Sequence, residues 1–130
     1  MNTLIHKYMN TSKKTLVLGA STNPSRYSYS AVQRLDMHDH EVVAIGNREG
    51  EIDGIKIQTE QLPLEDIDTV TLYLNAMNQQ PYYDYILSLK PKRIIFNPGT
   101  ENPELVKLAR ENGIEVEIGC TLVMLSIGNY

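Results

Sequence analysis

Cysteine is nearly absent from this sequence: Cys120 stands alone among 130 residues. No disulfide can form within the chain, and a reducing cytosol is its simplest setting. Long apolar runs are missing too. Met1 to Lys14 carries only Leu4 and Ile5 together before turning polar, short of the apolar core of a signal peptide. No later stretch approaches the length that spans a bilayer, so a cytoplasmic protein without membrane partners is expected. Positive charge is not in excess. Twelve Lys and Arg against 16 Asp and Glu leave a formal charge of −4. General nucleic-acid binders present a net basic face to phosphates, so that class is disfavoured. Histidine is scarce: His6, His38 and His40 fall in the N-terminal tail and at the end of the first expected helix, where surface residues are more common than bases. No His/Cys cluster has metal-ligand spacing, and no paired acids stand where two strand ends converge. A catalytic set is not evident.

What is present is alternation. Thr15-Leu16-Val17-Leu18-Gly19-Ala20 is a short apolar run ending in small residues, as in a strand buried on both faces. Ser28 is a candidate N-cap for a helix carrying Ala31, Val32 and Leu35 and running to Met37 or Asp39. Val42 to Ile45 is a second strand, and Ile52, Ile55 and Ile57 around Asp53-Gly54 suggest a small hairpin or edge strand. Thr69 to Leu74 is a third core strand. Asn78 is a candidate cap for a helix with Pro81 in its first turn and Tyr82, Tyr85, Ile86 and Leu89 as its apolar stripe. Ile94-Ile95-Phe96 is a fourth strand. Asn102-Pro103-Glu104 starts another helix, with Gly113 placed to end it. Ile114 to Ile118 is a last strand, and Leu122 to Ile127 reads as an apolar tail or helix turn. The order predicts an α/β fold: one Rossmann-like, open, mainly parallel five-stranded sheet with helices on both faces. A tail over residues 1–13 and one domain over 14–130 complete the expected organisation.

In such sheets, ligands bind beyond the carboxyl ends of the strands, where strand order reverses. The first of these loops runs Gly19-Ala20-Ser21-Thr22-Asn23-Pro24-Ser25-Arg26-Tyr27-Ser28-Tyr29. Gly19 permits a tight turn, Ser21, Thr22 and Ser28 offer hydroxyls, and the following helix offers free N–H groups and the positive end of its dipole. Arg26 adds a planar cation suited to phosphate. A polar connector with a capping serine is the plainer alternative, and Arg26 with the density of hydroxyls favours a phosphate site over it. The three glycines of the dinucleotide fingerprint are missing. Where an NAD-binding fold has an acid, the second strand ends Gly46-Asn47-Arg48. Arg48 suits a ribose phosphate, as on coenzyme A or NADP, or is a solvated loop charge. Tyr73 and Leu74 either line a slot or pack the core, with Asn75 able to orient a ligand. Gly99, in Asn97-Pro98-Gly99-Thr100, permits close approach and is also a plain turn signal. Cys120 is a lone cysteine at a strand end, a setting more typical of packing than of a nucleophile.

The segment Gly19-Ala20-Ser21-x-x-Pro24-x-Arg26-x-Ser28-Tyr29 resembles the small bacterial CoA-binding-domain proteins, relatives of the CoA-binding domain in the succinyl-CoA synthetase alpha subunit. The likeness extends from Lys14 onward, through the Gly54 hairpin and the stretch Asn97 to Gly113, to Cys120. It implies a domain that binds coenzyme A at the rim of the sheet, with Gly19 to Ser21, Arg26, Ser28 and Tyr29 at the phosphates and ribose. This chain departs from the family pattern at Asn47-Arg48, where a proline is lost, and at Leu74 and Gly119, where basic residues are usual. The synthetase's phosphorylated histidine belongs to another domain, so its ligase chemistry is not implied. The expected function is a stand-alone CoA- or acyl-CoA-binding protein. Its rivals are a small NADP- or other nucleotide-dependent enzyme and a partner-binding domain with a vestigial pocket. The apolar run Leu122-Val123-Met124-Leu125 and the helix tyrosines make a homo-oligomer conceivable.

Overall fold

The computed structural model describes residues 12–130. Leu4, Ile5, His6 and most of the expected tail lie outside the described residues. Lys13, at the inner end of that tail, is anchored. Its backbone N–H donates to His40 Nδ1 (2.9 Å) and its ammonium to the Tyr130 carbonyl oxygen (2.6 Å).

β1 (Thr15–Leu18) is buried along its whole length because it is central. β2 (Val42–Ile45) and β5 (Thr69–Leu72) flank it, both parallel to it. β4 (Ile55–Gln58) lies parallel beyond β2, and β3 (Gly50–Ile52) closes that edge antiparallel. β6 (Arg93–Phe96) and β7 (Glu115–Ile118) extend the other side. The order is β3-β4-β2-β1-β5-β6-β7, seven strands where five were expected. The difference is the hairpin. It joins the main sheet because Ala44 and Ile45 pair with Ile57 and Gln58.

Successive side chains of a strand point to opposite faces, so the apolar runs supply two cores. Leu16, Leu18, Val70, Leu72, Ile94 and Phe96 fill one, with Ile86 of α3 (Tyr83–Leu89) and Leu105 and Ala109 of α4 (Pro103–Glu111). Val17 and Ala44 fill the other, with Val32 and Leu35 of α1 (Tyr27–Met37) and Leu125 of α5 (Thr121–Ile127). Each fully buried Leu, Ile or Phe contributes on the order of 1.5–3 kcal/mol. On the second face β5 presents Thr71, and its polar group is matched. The hydroxyl pairs with Thr121 of α5 (2.8 Å) and accepts from Asn97 Nδ2 (2.7 Å), while Asn97 Oδ1 accepts the Thr121 N–H (2.8 Å).

Two local expectations change. The helix predicted from Asn78 is divided into α2 (Ala76–Gln79), a 3₁₀ turn over Gln80–Tyr82, and α3. Its cap is Asn75, whose Oδ1 accepts the Asn78 N–H (2.9 Å). Pro81 has no N–H to give an α-helical ladder, so the chain tightens at that point. The apolar tail is the helix α5, with Thr121, Met124 and Leu125 turned inward. α4 starts as its sequence predicts: Asn102 accepts from the Leu105 N–H (3.3 Å), Pro103 follows, and Glu104 sits in the first turn.

Candidate functional site

Strand order runs outward from β1 in one direction through β2 and β4, then returns to place β5 on the other side. The reversal lies between β1 and β5, where a crevice is expected at the carboxyl ends. A cleft of about 760 Å³ opens there. Its volume falls in the range of small-molecule sites.

Four loops build it. The first supplies Gly19, Ala20, Ser21, Thr22 and Asn23, and the start of α1 supplies Arg26, Tyr27 and Ser28. Asn47 and Arg48 come from the loop after β2, and Tyr73, Leu74, Asn75 and Asn78 from the segment after β5. Pro98, Gly99 and Thr100 follow β6. Ten of the eleven residues singled out from the sequence therefore meet in one cleft. The exception is Tyr29, which packs against the α1–α5 core. Ser28 is the inward-facing residue of that turn, and the next position is rotated by about 100° around the helix. Tyr27, Asn78 and Thr100 belong to the lining without having been singled out. Tyr27 follows the cation on a helix start, Asn78 was expected to be engaged as a cap, and Thr100 stood beside the more conspicuous glycine.

Close backbone packing holds the first loop in place. The Gly19 and Ala20 N–H groups both donate to the Ile45 carbonyl (2.8 and 3.0 Å). Gly19 has φ +102, and a Cβ there would lie 2.9 Å from the Tyr73 carbonyl carbon. The glycine is thus required by the neighbouring strand end. Ser21 Oγ accepts from the Asn23 N–H (3.1 Å), which leaves its own proton free to donate into the cleft.

The electrostatics are one-sided. The lining holds two arginines and no Asp or Glu, in a chain where acids outnumber bases. Among the described residues the ion pairs are Lys14–Glu41 and Lys92–Asp68; neither involves Arg26 or Arg48. The N-terminus of α1 sharpens the contrast. Ser28 is not its cap, because the helix starts one residue earlier and buries that side chain among Ala31, Val32 and Leu35. Arg26 holds the N-cap position with no side-chain hydrogen bond, and the first turn contains no acid. α4 has both a cap and an acid. A guanidinium at the positive end of a helix dipole is the unfavourable arrangement, and an anion between them reverses its sign.

Tyr73 lines the cleft, while Cys120, His38 and His40 lie outside its lining. Burial pushes the Tyr73 phenol far above its ordinary range, so it stays protonated; its oxygen lies beside the Thr71–Thr121 pair with no hydrogen-bond partner. Cys120 is half-buried at the N-cap of α5, outside the lining. His38 is exposed, as expected. His40 is not a plain surface residue. It is half-buried before β2, against the Tyr130 ring (centroids 4.9 Å apart) at the amino ends of the strands. No cluster of three or more metal-ligating side chains occurs among the described residues. None of their helices is long and apolar enough to cross a membrane.

His40 carries a pH prediction. Burial, then repulsion by His38, Lys13 and Arg93, lowers its pKa from 6.5, with Asp68 opposing. The unfolded chain therefore takes up a proton near pH 6.5 that the native state still refuses. The stabilisation is complete above that pH and is lost as pH falls toward the lower native value. Melting temperatures at about pH 7.5 and pH 5.5 should fall further apart in the wild type than in His40→Asn. Identical declines would detach His40 from the acid sensitivity.

Fold and cleft together define the class: a doubly wound α/β protein with an acid-free, doubly cationic crevice at its topological switch point. Within that class, the chain belongs to the CoA-binding domain family, whose model matches residues 13–126. A solved structure of an uncharacterized protein is 56% identical, covering 93% of this chain and 100% of that one, with a TM-score of 0.90. A hypothetical protein from Pyrococcus horikoshii OT3 is 24% identical over 95% of this chain and 88% of its own, with a TM-score of 0.81. The cell-free ID.343 protein from Thermus thermophilus is 22% identical, both chains being covered in full, at 0.80. These last two speak for the fold alone. No curated protein matches.

Proposed function

We propose that this protein is a stand-alone module that binds coenzyme A or an acyl-CoA in the rim cleft. The observation that carries the reading is the convergence of Arg26, Arg48 and the uncapped start of α1 on an acid-free cleft in a net acidic chain. Coenzyme A carries a pyrophosphate and a ribose phosphate. The N–H groups of α1, with Arg26 and the Ser21 hydroxyl, are suited to the first, and Arg48, across the mouth after β2, to the second. Asn47, Asn75 and Gly99 complete the mouth from the neighbouring loops. Family membership supports the same ligand. The lining contains no acid, histidine or cysteine, which supports binding over catalysis.

Arg48 also fits the ribose phosphate of NADP, which is the one observation favouring a nucleotide-dependent enzyme. The partner-binding reading loses part of its basis, since Met124 and Leu125 of the terminal run are buried in the protein's own core. Thermal-shift titration of the full chain with CoA, NADP and NADH in parallel separates the readings. Ligand at about 100 times its Kd adds roughly 2.7 kcal/mol, a clear rise in melting temperature. CoA alone, or CoA most strongly, should produce it. A rise with NADP and none with CoA would overturn the proposal.

A further inference from the structure

Gln79 is fully buried, yet it carries a primary amide. Its Nε2 donates to the Leu74 carbonyl (2.8 Å) and to the Thr100 carbonyl (2.7 Å). Its Oε1 accepts from Asn102 Nδ2 (2.8 Å), which also donates to the Tyr83 hydroxyl (2.8 Å). Leu74 and Thr100 line the cleft, in the loops after β5 and β6. Their carbonyls are both acceptors, and the Gln79 nitrogen, with two protons, bridges them. An amide does this while accepting on its other side; no apolar residue of the same length can.

The wall that Gln79 braces differs from the opposite one. It has no cation. Two of its backbone N–H groups are engaged internally: Thr100 N–H donates to the Asn97 carbonyl (2.9 Å) and Tyr73 N–H to Leu18 (2.9 Å). Asn75 spends its Oδ1 on the Asn78 N–H, which leaves its Nδ2 as a donor toward the cleft. An uncharged amide donor beside the apolar Leu74 suits an uncharged, amide-containing chain, while a phosphate finds no cation on this wall and two on the other.

Resting on the CoA reading above, we propose that Gln79 is a positioning residue. It sets the spacing of the wall that takes the pantetheine arm, while the arginine side takes the phosphates. A buried polar network serving only the fold would instead affect every ligand equally when broken.

Calorimetry with two probes tells these apart: CoA, and adenosine 3′,5′-bisphosphate, which lacks the arm. Gln79→Met should weaken CoA about tenfold, or about 1.4 kcal/mol, and leave the bisphosphate within about twofold. Gln79→Glu supplies a second readout, and suffices if the methionine variant does not fold. Its carboxylate would face the two carbonyls once ionised. The ratio of CoA to bisphosphate affinity should therefore fall more steeply between about pH 5 and pH 8 in this variant than in the wild type. Both probes share the titrating ribose phosphate, so that part cancels; the bisphosphate's 5′-phosphate monoester also titrates at about pH 6, and the wild-type trend measures that part. Proportional weakening of both probes, or of neither, overturns the positioning role. A wild type that binds neither overturns the CoA reading itself.

Discussion

Alanine at both Arg26 and Arg48 is expected to weaken CoA binding by more than about a hundredfold and to leave the unliganded protein as stable as before. A charge-assisted hydrogen bond contributes about 1.5–3 kcal/mol, so each single variant should lose roughly one to two powers of ten. The two arginines come from different loops, after β1 and β2, and meet only at the cleft. Their losses should therefore be close to additive, with any shortfall measuring how far they share one phosphate. Stability should not follow affinity. Both side chains are exposed, and neither has an ion-pair partner among the described residues. Removing Arg26 even relieves repulsion from the α1 dipole. Calorimetric titration and thermal melts on the same samples check both halves. Full-strength CoA binding by the double variant would move the phosphates elsewhere.

Gly19→Ala should have the largest effect on stability, about 2–4 kcal/mol. Two costs combine. A side chain at φ +102 occupies a backbone region that only glycine visits freely. The new methyl would also stand 2.9 Å from the Tyr73 carbonyl carbon and 3.1 Å from Leu74 Cγ. The backbone atom belongs to the end of β5 and cannot move without breaking the Tyr73 N–H bond to Leu18 (2.9 Å). Overpacking of that kind costs about 1–3 kcal/mol. CoA affinity should fall as well, because the same loop carries Ser21 and leads into Arg26. A chemical denaturation midpoint unchanged from wild type would show that the loop yields easily, against its close packing on the end of β5.

The fold was readable because its signals are local and repeated. Runs such as Leu16-Val17-Leu18 and Ile94-Ile95-Phe96 mark buried parallel strands, and Asn102-Pro103-Glu104 marks a helix start. Hidden features depended on partners distant in sequence. The hairpin strand β4 joins the sheet through Ala44 and Ile45, a pairing that no spacing within residues 50–58 announces. Ser28 has the chemistry of a cap, yet the demand to bury a helix face next to Ala31 and Val32 overrode it. Pro81 was correctly placed near a helix start, but the start that matters is the one Asn75 caps. In the cleft, loop membership was legible while side-chain direction was not. That is why Tyr29 turned away and Gln79, an ordinary polar residue by sequence, emerged as the buried link between two loops.

Amide chemical-shift mapping of the full chain with added CoA probes the ligand and its position together. Shifts are expected across residues 19–28, at Asn47 and Arg48, and in the loops after β5 and β6, with Lys13, His40 and Tyr130 at the opposite end of the sheet unmoved. An unperturbed spectrum at saturating CoA, or shifts confined to that opposite end, would contradict a phosphate site at the start of α1.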